Sequence, residues 1–144
     1  MAYLSFFVPS NRYGKNGKPT HMDGMNEIIR DNRTNKYVGA RIEKENVRHI
    51  ALYAIAAMRN QKFKPIDGKA RVFVKFYEIN RRRDVSNIYG GLKYVLDGLT
   101  RPRGGKFGAG VIYDDSPKYV EVIPSVEIDK ERPGVLITIV RVDE

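Results

Sequence analysis

No cysteine occurs among the 144 residues, which removes disulfide frameworks and thiolate zinc sites together. Histidine is nearly as scarce: His21 and His49 alone are too few for a histidine-built metal centre. A hard metal ion on oxygen ligands is the kind of site left open. Long apolar runs are also missing. The longest, Ile50 to Met58, has nine residues, against the roughly 20 needed to cross a bilayer. The apolar start of the sequence lacks the basic flank of a secretory leader. These absences predict a soluble, cytoplasmic protein with no membrane partner. No internal repeat, low-complexity tract or linker breaks the chain. At this length, with 42% hydrophobic residues, a single domain over 1–144 is expected.

Charge is what the chain has in excess, with a formal net charge of +9. Its distribution says more than its total. Arg59 to Arg83 carries nine Lys/Arg against only Asp67 and Glu78, whereas Asp114 to Glu144 carries eight acids against four bases. A basic field that meets acids at Asp84 suits a polyanionic substrate.

Tyr3 to Val8 reads as a strand, followed by a polar loop with Pro9, Gly14, Gly17 and Pro19 that carries Arg12, Lys15 and Lys18. From Arg41 to Asn60, apolar residues at 47, 50, 51, 54, 55 and 58 follow one helical face. Residues 69–79 alternate as a half-buried strand, with Ala70, Val72, Val74 and Phe76 on one side. A second helix is predicted from Asp84 or Ser86, with Ile88, Leu92, Val95, Leu96 and Leu99 on its buried stripe, Lys93 and Asp97 together on the opposite face, and Gly90 and Gly91 weakening its first turns. Glycines from 104 to 110 make a flexible loop. The segment Gly105-Lys106-Phe107-Gly108 lacks the spacing of a phosphate loop. Lys118 to Ile128 and Val135 to Val142 read as two strands around Arg132-Pro133-Gly134, hence a hairpin. The fold class expected is α+β: a small mixed or antiparallel sheet, two main helices and a C-terminal β-hairpin. The stretch 20–40 mixes methionine and isoleucine with polar residues and gives no functional reading.

Three carboxylate sites, Asp84, Asp97 and the pair Asp114-Asp115, follow Arg81-Arg82-Arg83 within a short span. Cations can hold phosphodiester anions while clustered carboxylates gather Mg2+, the outline of a metal-dependent nuclease. Taken singly, each fragment has a plainer reading. The arginine run is a solvated turn, Asp114-Asp115 before Ser116-Pro117 is turn chemistry, and Lys93 with Asp97 is an exposed i, i+4 ion pair. Their ordered combination is what favours the nuclease.

Read as one pattern, Arg82-Arg83-Asp84-Val85-Ser86-Asn87, then Lys93, Asp97, Leu99 and Asp114-Asp115, the region resembles the RusA family of Holliday junction resolvases, crossover junction endodeoxyribonucleases common in prophages. Val8-Pro9-Ser10-Asn11-Arg12-Tyr13 is similar to that family's opening. Two departures stand out. Ser86 occupies the place of a second motif aspartate, and the gap from Asn87 to Lys93 is longer by about one helical turn. The resemblance implies an endonuclease acting in DNA recombination and repair, a hydrolase dependent on Mg2+ (or Mn2+), working as a homodimer on branched, four-way DNA. On that reading Asp84 and Asp115 are the principal metal ligands and Asp114 a third. Lys93 neutralises charge on the phosphate, held by Asp97, and Asn87 bonds a carboxylate or the DNA backbone. Arg81, Arg82, Arg83, Arg12, Lys15 and Lys18 track phosphates. The alternative is a DNA-binding protein of the same fold whose catalysis is weakened by Ser86. A small RNA-binding protein would account for the bases but not the acids.

Overall fold

Period-two alternation places four strands in one mixed sheet, in a computed structural model that describes residues 3–105 and 107–142; Lys106 thus lies outside the described residues. The strands are β1 (Tyr3–Pro9), β2 (Ala70–Glu78), β3 (Val120–Ile128) and β4 (Gly134–Arg141). Their order across the sheet is β1-β4-β2-β3. β4 is antiparallel to both neighbours, whereas β2 and β3 are parallel. The α+β class, the mixed sheet and the strand positions follow the sequence reading.

The C-terminal hairpin is an open one. β3 and β4 run in opposite directions through the short 129–133 connection, but β2 lies between them and bonds both. Composition explains the arrangement. β3 carries Pro124, which cannot donate to a ladder and belongs at an edge. β4 is apolar throughout its middle, with Val135, Ile137 and Ile139 fully buried opposite Phe76, Val74 and Val72, as an interior strand requires.

Among the described residues four helical segments accompany the sheet: α1 (Met25–Thr34), α2 (Lys36–Gln61), α3 (Val85–Tyr89) and α4 (Leu92–Leu99). The helix predicted from Arg41 begins five residues earlier, because the Asn35 side chain accepts the Tyr37 N–H at 2.7 Å and caps it. Its stripe of Val47, Ile50, Ala51, Ala54 and Ala57 is buried, and Ile50, Ala54 and Ala57 share one core with the sheet residues Leu4, Val8, Val72, Val74 and Phe76. α1 occupies the stretch that gave no sequence reading.

The second predicted helix is divided at Gly90-Gly91. There Gly90 N–H bonds Asn87 C=O and Gly91 N–H bonds Ile88 C=O, three residues back, so the backbone tightens. Gly90 faces the Met25 backbone so closely that no side chain fits. The glycine that weakens the helix is what admits the start of α1. Gly98 plays the same part between α4 and α2, since a Cβ there would stand 2.7 Å from Ile50 Cβ and Cγ2. Gly98→Ala is accordingly expected to cost about 1–3 kcal/mol through overpacking, despite alanine's better helix propensity. An urea midpoint at or above that of the native chain would sink this expectation.

Candidate functional site

α4 ends where Thr100 turns back on it, its hydroxyl donating to Leu96 C=O at 2.7 Å. The following loop is then sewn to that end: Ala109 N–H bonds Gly98 C=O at 2.8 Å and Gly110 N–H bonds Thr100 C=O at 3.2 Å. Gly108 presses against the Thr100 carbonyl, and a side chain at that position would collide with it. This stitching brings together residues far apart in sequence. Asp97, Thr100, Arg101, Arg103, Gly108 and Asp115 line one small cavity of about 70 Å³.

The cavity is mixed in charge. Arg103 donates to Asp114 Oδ1 at 2.7 Å, and the Asp115 N–H donates to the same oxygen at 2.9 Å. The Asp115 N–H, with Arg103 behind it, holds the Asp114 carboxyl below the usual carboxylate range. The Arg101 guanidinium lies 3.7 Å from the centroid of the Tyr113 ring, which packs on Tyr119 at 4.7 Å. Asp115 itself is exposed and Asp97 half-buried.

Of the residues expected at one site, the structure thus unites Asp97 and Asp115 and sets Asp114 beside them on Arg103. Asp84 stands exposed at the start of α3, with Ser86 exposed in the same turn; neither lines this cavity. Lys93 pairs with Glu43 of α2 at 3.0 Å, where a bond to Asp97 was expected. The two line a separate cavity with Asp31 and Tyr94. The Asn87 side-chain oxygen accepts the Asn26 N–H at 2.8 Å and so caps the first turn of α1.

The expected phosphate contacts divide in two. Arg81, Arg82, Lys15 and Lys18 are exposed. Arg12, a third exposed, and the more buried Arg83 are engaged by carboxylates of the protein. Arg12 grips Asp23, which is 2% exposed, through Nε at 3.0 Å and Nη2 at 2.7 Å, while Asn46 Nδ2 adds a third bond at 2.8 Å. Burial would push the Asp23 carboxyl up, but these bonds outweigh it and the net shift is down. Burial also pushes the neighbouring Tyr94 phenol up to about 12. Arg83 donates to Met22 C=O at 3.1 Å, to Glu78 at 3.2 Å and to Glu27 at 3.0 Å. Burial moves the Glu78 carboxyl up, a pull that Arg83 only partly offsets.

One of these partners was visible in the sequence. Glu78 falls on the same side of β2 as Ala70, Val72, Val74 and Phe76, so a carboxylate on the apolar side calls for an internal cation. Asp23, Asn46 and Glu27 gave no such signal, and nothing in the spacing marked Arg101 or Arg103.

The cavity's donor set suits Mg2+, which commonly takes one or two protein carboxylates and keeps several waters. Asp97 and Asp115 are two such carboxylates beside arginines able to hold a phosphate. Among the described residues no group of three histidine, aspartate or glutamate side chains is poised to hold a metal ion, so waters or substrate oxygens would complete the shell. Among the same residues no helix is long and apolar enough to cross a membrane. No family model, curated protein or solved structure matches the chain.

Proposed function

We propose that this chain is a Mg2+-dependent, structure-selective DNA endonuclease that resolves branched DNA such as Holliday junctions by phosphodiester hydrolysis, as a RusA-type homodimer in a phage or prophage setting. The observation that carries the proposal is the single cavity that Asp97 and Asp115 line together with Arg101 and Arg103. The ordered motif that resembles the resolvases contains both aspartates. Arg101 and Arg103 would orient a phosphate there, and Asp97 and Asp115 would hold the ion. When bound, Mg2+ polarises a phosphoryl oxygen and makes water a better nucleophile. Arg103, now on Asp114, can pass to a phosphate and release that carboxylate. The exposed Arg81, Arg82, Lys15 and Lys18 add backbone contacts that position the substrate without reading its sequence. A two-fold dimer would match the two equivalent strands of a four-way junction.

A second reading is a DNA-binding protein of the same fold with little catalysis. Two observations favour it: Ser86 where the family places an aspartate, and a Lys93 ammonium engaged by Glu43 away from the acidic cavity. Incubation with a labelled four-way junction and a matched linear duplex, with Mg2+ or EDTA, separates the two. The endonuclease gives paired, EDTA-sensitive nicks in the junction. Tight junction binding without nicks decides for the binding protein.

A further inference from the structure

Phe107 precedes Gly108, which lines the mixed-charge cavity, and although large and apolar it is 40% exposed. Its ring is not idle on one side: the Arg48 guanidinium of α2 lies 4.9 Å from its centroid. The loop cannot carry this ring elsewhere at will, because Gly108 is wedged on Thr100 and Ala109 is bonded to Gly98. Tyr113, the other aromatic near the cavity, differs in that Arg101 and Tyr119 both pack on it. The surroundings are cationic, with Arg48, Arg101 and Arg103 all exposed. An exposed ring, backed by a guanidinium and fixed beside arginines, is the form of a base-stacking platform; every nucleobase has a π-face, and stacking needs that base out of its duplex.

We infer that Phe107, backed by Arg48, stacks an unpaired nucleobase beside the Asp97–Asp115 cavity and thereby selects nucleic acid with an unstacked base over continuous duplex. The inference rests on the nucleic-acid reading above and narrows its substrate class. Phe107 is a specificity residue, and the carboxylates retain the chemistry. A continuous duplex offers the ring no free π-face, whereas a branch point or single strand does.

The chain has no tryptophan, so Phe107→Trp installs a sole indole reporter at the platform. The probes are a 15-nucleotide oligothymidine and a blunt 15-base-pair duplex, with affinity followed by anisotropy of end-labelled DNA. Oligothymidine is expected to quench the indole and the duplex to leave it unchanged. Phe107→Ala is expected to weaken oligothymidine binding about 10-fold while duplex affinity holds, and Arg48→Gln to weaken it by less. Phe107→Ala and Phe107→Trp should both melt like the native chain, since the ring is exposed. If the native chain binds both probes while the indole is unquenched and Phe107→Ala binds oligothymidine normally, the stacking inference is overturned and the nucleic-acid reading stands. If the native chain binds neither probe nor a four-way junction, the nucleic-acid reading itself falls, and this inference with it.

Discussion

Arg83→Met lowers the melting temperature by about 6–20 °C at pH 7, on the expectation that breaking a buried ion pair costs about 3–5 kcal/mol and that each kcal/mol is worth roughly 2–4 °C in a chain of this size. The side chain is 14% exposed, and it serves Glu78 at 4% and Glu27 at 13% together with the Met22 carbonyl. Methionine keeps much of the volume but removes the guanidinium from Glu78, Glu27 and the Met22 carbonyl, leaving Glu27 the Gly24 N–H. The loss has a pH signature. The Glu78 carboxyl already titrates above its ordinary value in the fold, so the folded chain holds that proton more tightly than the unfolded one. Such a group favours folding at low pH, and the advantage is lost as pH rises through the raised value. Without Arg83 the value rises further, so the deficit against the native chain should be largest at pH 7 and shrink towards pH 4.5, the ordinary value. Asp23 titrates in the opposite sense, with its carboxyl held down. It does so in both chains, and so drops out of the difference. An unchanged melting temperature, with weaker and less salt-dependent DNA binding, would instead make Arg83 a phosphate contact.

Asp115→Asn is expected to lower Mg2+-dependent junction cleavage by about 100-fold or more, since a charge-stabilising contact of this kind carries several kcal/mol of the barrier. Junction affinity in EDTA should stay near native, because Asp115 is exposed and asparagine preserves its shape. The companion variants locate the second ligand. The cavity groups Asp97 with Asp115, so Asp97→Asn should fall as far as Asp115→Asn. The motif resemblance gives that place to Asp84, and Asp84→Asn tests it in parallel. Loss in Asp84→Asn with full activity in Asp97→Asn would show that the working site is assembled around α3, and that the cavity between α4 and the loop is not where hydrolysis occurs.

The elements that were legible in the sequence are those whose pattern is local. β2 declared itself through Ala70, Val72, Val74 and Phe76, and α2 through Val47, Ile50, Ala51 and Ala54, because burial of one face imposes a period on the residues themselves. α1 was silent because its N-cap is a glycine and part of its capping comes from another element. Asn87 caps its first turn from α3, Glu27 accepts the Gly24 N–H, and Asn35 closes its end. The arginines show the same limit. Arg81, Arg82 and Arg83 are equivalent as letters, yet only Arg83 lies within reach of a buried Glu78, and that depends on how the chain turns after β2. That Asp97 and Asp115 line one cavity was hidden for a related reason: loop stitching at Gly108, Ala109 and Gly110 sets it, and spacing does not. The placement of β4 depended on which strand tolerates the edge, a comparison that Pro124 makes possible but that a turn between two strands conceals.

That placement also sets an order of events in synthesis. β1 is bonded only to β4 within the sheet, so residues 3–9 find their partners at 134–140. β1 is made well before β4, so its apolar Leu4, Phe6 and Val8 wait for their partner strand until most of the described chain has followed. Such separation raises the loop-closure entropy that precedes any gain from pairing, which slows folding and prolongs exposure of a sticky segment. The insertion of β4 between β1 and β2 therefore makes sheet completion a late step that draws the two ends of the described chain together.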